Sequence, residues 1–125
     1  MVKKALIIIV SIFVIPILTN ITLADNTDIT IKGVISNPKY YDGKRITVEG
    51  KVEQVHHTTS LSGDPYTLFR LHDGDHNEIG VYSKGNLSIT EGDKIRVTGI
   101  FKKEKRAVFL KFKNVIKAKQ VEEIG

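Results

Sequence analysis

Between Arg45 and Val55 the chain reads Arg-Ile-Thr-Val-Glu-Gly-Lys-Val-Glu-Gln-Val, and no other stretch limits the fold as much. Ile46, Val48 and Val52 alternate with Thr47, Glu49 and Lys51, the period of a strand with one face buried and one face wet. Gly50 falls where the next inward bulky residue belongs, so the strand is expected to bend there, as the first strand of a small closed barrel must. The same grammar returns from Asp93 to Phe101, where Ile95 and Val97 alternate with Arg96 and Thr98 and Gly99 follows them.

The 125 residues suit one domain. Without cysteine the chain has no disulfide framework, thiolate nucleophile or cysteine metal site. Lys3 and Lys4 precede an apolar run from Ala5 to Leu18, and Thr22-Leu23-Ala24 then sets small residues where a signal peptidase cuts. Residues 1–24 therefore read as a secretory signal, 25–30 as a disordered linker and 31–125 as the folded domain. An uncleaved membrane anchor stays open, because the uncharged stretch up to Ala24 is long enough to cross a bilayer; Pro16, Thr19, Asn20 and Thr22 favour cleavage. Either way the domain is expected outside the cytoplasm, secreted or periplasmic.

Along the domain, Ile31, Val34 and Ile35 have the spacing of a short helix that Asn37-Pro38 stops, and Tyr40 or Tyr41 is expected against the barrel end. After the first strand, His56 to Pro65 is polar and reads as a long loop. Tyr66 to His72 and Glu78 to Tyr82 form a hairpin turned at Asp73-Gly74-Asp75, with Phe69, Leu71, Ile79 and Val81 inward. Ser83 to Gly92 reads as a helical turn or an irregular plug around Leu87 and Ile89. The fourth strand runs from Lys94 to about Lys102, Lys103 to Arg106 is a charged tip, and the fifth strand starts at Ala107 with Val108, Leu110 and Phe112 inward and continues to about Gln120.

Charge is unevenly distributed. Asp25 to Asp93 holds 7 Lys and Arg against 11 Asp and Glu, whereas Lys94 to Gly125 holds 10 against 3. That asymmetry points to an anionic partner on the face built by the last two strands, or to lysines that keep strand edges soluble.

The segment from Asn37 through Val52, Phe69-Arg70-Leu71-His72-Asp73-Gly74 and Gly92 to Gly99 together resemble OB-fold domains of the tRNA-anticodon-binding type, and more loosely the small exported bacterial OB-fold proteins. The likeness spans about Ile31 to Ile124. It implies an all-β, five-stranded Greek-key barrel with a short N-terminal helix, and a ligand laid across the second and third strands between the loops after the first and fourth. Carried over by position, that face presents Leu68, Arg70, Glu78 and Tyr82, flanked by His56, His57 and Tyr66 on one side and Lys102, Lys103, Lys105 and Arg106 on the other; Arg96, Lys111 and Lys113 are further candidate cations on the last two strands. The implied partner is single-stranded nucleic acid or another polyanion, held by stacking and by cations along its backbone. An envelope protein partner is the alternative.

Other chemistry is weaker. His56 and His57 are adjacent on a strand and point to opposite faces, which argues against one metal ion between them. Asp73-Gly74-Asp75-His76-Asn77 has Glu78 where a calcium loop needs its turn glycine and Lys84 where it needs its bidentate glutamate. No nucleophile elbow or phosphate loop is present, so no catalytic residue and no cofactor is expected. Membrane-tethered OB-fold haem chaperones also lie outside the cytoplasm, but they carry C-terminal histidine and tyrosine, and here the last histidine is His76.

Overall fold

The computed structural model describes residues 29–107 and 110–125. The leader reading of residues 1–24 falls outside them, as do the orientations of Val108 and Phe109. No helix among the described residues is long and apolar enough to cross a membrane.

Two short helices, α1 (Ile31–Ser36) and α2 (Pro38–Tyr41), precede five strands: β1 (Arg45–Thr59), β2 (Pro65–His72), β3 (Glu78–Lys84), β4 (Lys94–Ala107) and β5 (Leu110–Glu123). The strands close in the order β1-β2-β3-β5-β4, with β3 and β5 parallel and all other neighbours antiparallel. This is the five-stranded Greek-key barrel of the OB-fold.

Closure depends on β1 serving two partners. Arg45 to Lys51 pair with β4, and Lys51 to Thr59 pair with β2. The exchange happens at Lys51, and at the adjacent Gly50 an added Cβ would sit 2.7 Å from the His72 carbonyl oxygen and 2.9 Å from Leu71 Cγ. The close approach accounts for the glycine, while the irregularity in β1 lies further on, between Glu53 and His56. At Gly99 a Cβ would collide with the Lys117 carbonyl, beside the register shift that gives β5 one extra residue.

Ile46, Val48 and Val52 of β1, Phe69 and Leu71 of β2, Ile79 and Val81 of β3, Ile95, Val97 and Phe101 of β4 and Ile116 of β5 fill the barrel. One end is stoppered by α1, which buries Ile31 and Val34 and is capped by the Thr30 hydroxyl accepting from the Gly33 N–H at 3.0 Å. Pro38 cannot continue α1, so the chain breaks at Asn37 and restarts as α2, with Pro at its first turn. Tyr41 packs against the core, while Tyr40 is 63% exposed. The other opening is covered by the irregular link after β3. Its Leu87 and Ile89 pack on the core, and the buried Thr67 hydroxyl donates to the Gly85 carbonyl at 2.7 Å and accepts from the Leu87 N–H at 2.9 Å. The plug is irregular, without a helical turn.

Strand limits and inward positions differ from expectation at several points, and β5 runs on to Glu123. Residues 56–59, expected in the loop, extend β1: a bulge between Glu53 and His56, with Gln54 at φ 54, re-aims the strand and the ladder to β2 runs on to Thr59 opposite Pro65. Lys103 to Arg106 is not a tip, because the β4–β5 ladder continues to Ala107 opposite Leu110 as a two-stranded ribbon beyond the barrel. Phe112 is consequently not inward but 40% exposed, since it lies on that ribbon with no core to enter. Where β5 joins the barrel, Asn114 has φ 53 and Val115 and Ile116 are both buried, so simple alternation fails.

Candidate functional site

The outward positions of β2 are Tyr66, Leu68, Arg70 and His72, and those of β3 include Tyr82 and Lys84. Leu68 lies directly opposite Tyr82, and Tyr66 opposite Lys84. Tyr66 and Tyr82 are therefore diagonal neighbours on one face, with ring centroids 6.4 Å apart and planes inclined at 39°. Both are half-buried, so their positions are fixed while their rings stay reachable. Burial, and then the neighbouring Tyr66, raise the Tyr82 hydroxyl above its ordinary value. It is neutral at physiological pH and does not repel an anion.

The β4–β5 ribbon reaches this face. Lys105 Nζ lies 5.3 Å from the centre of the Tyr82 ring. The ribbon root is fixed by the Asp42 carboxylate, which accepts the Lys103 N–H at 2.8 Å, and by the Gly43 N–H donating to the Phe101 carbonyl at 2.7 Å. A loop from the α2 corner thus positions the element that carries Lys105. The grouping of two aromatic faces with one ammonium offers stacking to a planar ligand and charge to an anion beside it.

The remaining predicted cations divide between other surfaces. Lys103, Lys111 and Lys113 line a shallow cleft with Lys39 and Tyr40, between the helical corner and the ribbon root. Glu104 takes up part of that charge, its carboxylate lying 3.5 Å from both Arg106 and Lys111. Arg70 is ion-paired with Glu78 on the same face as the tyrosines. Lys102 is half-buried opposite Val115 at the ribbon root. Arg96 stands apart, on the outer face of β1, β4 and β5, held by Glu49 at 2.8 Å and Glu122 at 3.4 Å, which lie directly across from it on either side. The basic end of the chain is therefore not gathered along one groove. Cross-strand register hands Arg96 two carboxylates, and Glu104 sits among the ribbon cations.

Among the described residues, no three histidine, aspartate or glutamate side chains come together to hold a metal ion. His57 Nδ1 is 3.3 Å from the Thr67 hydroxyl. The Asp73 carboxylate is occupied by its own turn, accepting from the Asp75 N–H at 2.7 Å and the Asn77 side-chain amide at 2.8 Å. Sequence reasoning missed Lys39 and Tyr40 as cleft residues and Phe112 as a surface ring. The signal for Phe112 was its place between Lys111 and Lys113.

No family model and no curated protein matches the chain. Among solved structures, the chain is similar to the small single-stranded DNA-binding protein from Streptomyces coelicolor, with a TM-score of 0.54 and 21% identity, over 66% of this chain and 94% of that one. The similarity extends to the fold.

Proposed function

We propose that this chain is an exported OB-fold module that binds single-stranded nucleic acid, or a chemically similar polyanion, across β2 and β3 without catalysing a reaction. The observation that carries the reading is the trio of Tyr66, Tyr82 and Lys105: adjacent rings on the outer face of a barrel, with an ammonium 5.3 Å from one of them. Bases stack on aromatic faces whatever their sequence, and cations follow the phosphates. The solved structure of similar fold is that of a single-stranded DNA-binding protein, which supports the same reading.

Titration of an oligothymidylate at several salt concentrations tests it. Expected are binding at low salt, a fall in log affinity with log salt of about 0.7 per phosphate neutralised, and a loss of about 1–3 kcal/mol for Tyr82→Ala. No affinity at low salt, or affinity indifferent to salt, overturns the proposal. If a membrane pull-down then retains a stoichiometric protein, the module is an adaptor for that partner.

Export rests on Lys3 and Lys4, the apolar run and Thr22-Leu23-Ala24. The intact mass of the protein recovered outside the cytoplasm is expected to start near Asp25. A product retaining Met1 in the membrane makes the leader an anchor.

A further inference from the structure

We infer that Phe112 is a third stacking ring, presented by the β4–β5 ribbon to a single strand whose neighbouring bases rest on Tyr66 and Tyr82. The inference rests on the reading above and extends it to a residue on a different element. Phe112 lies directly opposite Lys105 in the β4–β5 ladder, and directly opposed residues share one face of a ribbon. That face is the one turned towards the tyrosines, since the Lys105 ammonium reaches the Tyr82 ring. The other face is set by the pairs Glu104 with Lys113 and Arg106 with Lys111, all charged. Phe112 is thus the aromatic side chain on the platform side of the ribbon, and it is 40% exposed.

Two other large apolar side chains are comparably exposed among the described residues, and each has a local account. Tyr40 carries the Lys44 ammonium 3.5 Å above its ring, and Leu61 belongs to the Ser60–Asp64 turn. Phe112 has no such cover among the described residues: Lys111 and Lys113, its neighbours in sequence, belong to the other face of the ribbon, and the cation on its own face is Lys105. Rings on two elements also select the ligand. A strand passing between the β2–β3 face and the ribbon must present unpaired bases, whereas a duplex keeps its base faces stacked inside.

The chain contains no tryptophan, so Phe112→Trp introduces a single indole reporter. Titration of the full domain with oligothymidylate at low salt is expected to quench its emission with affinity kept near that of the parent. Inorganic polyphosphate, which has charge but no bases, is expected to compete without quenching. Phe112→Ala is expected to weaken oligonucleotide binding roughly tenfold or more, with its unfolding midpoint retained because the ring is outside the core. Duplex of the same length is expected to bind more weakly than the single strand. Parent affinity in Phe112→Ala together with an unquenched Phe112→Trp, while Tyr82→Ala loses binding, overturns this inference and leaves the proposed function standing. Equal quenching by polyphosphate and oligonucleotide also overturns it. Absence of oligonucleotide binding by the parent protein removes both.

Discussion

Thr67 carries a hydroxyl with no access to water: its proton goes to the Gly85 carbonyl, it accepts the Leu87 N–H, and His57 Nδ1 lies 3.3 Å away. Thr67→Val preserves the shape and strands those partners, which is expected to cost about 1–3 kcal/mol. A lowered urea midpoint with an unchanged slope is the measurement. Asp73 makes a residue-scale prediction in pH. The Asp75 N–H, then the Asn77 amide and N–H, hold its carboxyl below the ordinary aspartate value. Because the folded value is the lower one, the stabilisation is complete above about pH 4 and disappears as pH falls through the folded value. Asp73→Asn is therefore expected to lose stability at neutral pH and to converge with the parent in acid, in denaturation curves collected across that range. Parallel stability-versus-pH curves would show that the carboxylate contributes nothing.

At the scale of the element, the β4–β5 ribbon separates from the barrel in structure and is expected to separate in function. Its residues beyond Lys103 and Asn114 pair with each other, while the root is held by Asp42 and the Phe101 backbone. Replacing 104–113 by an Asn-Gly turn, which suits a two-residue hairpin, is expected to leave the barrel folded and to abolish the salt-dependent part of oligonucleotide binding. Arg96→Gln, which removes a cation from the opposite face, is expected to leave affinity within about twofold while the ion pairs with Glu49 and Glu122 are lost. Equal effects of the two changes would show that net charge, and not the ribbon, governs binding.

For the whole molecule, every strand of the closed barrel pairs with two neighbours, so strain in one ladder is expected to be felt by all five. Gly99 tests this. A methyl there would meet the carbonyl of Lys117, the β5 residue paired with Tyr82. Gly99→Ala is expected to destabilise the domain by at least ~2 kcal/mol, read as a lowered unfolding midpoint. Loss of binding with the unfolding midpoint unchanged would mean that the platform responds to closure strain.

Sequence alone determined the alternation of Ile46, Val48, Val52, Ile95 and Val97, the short helix from Ile31 and the turn at Asp73-Gly74-Asp75, since strand period and backbone sterics are local. It also placed Tyr66 and Tyr82 outward. What only the tertiary structure decided is which charges remain free. Register set Arg96 between two carboxylates, Glu104 beside Lys111 of the facing strand and Lys105 over Tyr82, and each of those contacts joins different strands. The same holds for Phe112: its alternation is that of a core strand, and it is exposed because the ribbon has left the barrel by the time the chain reaches it.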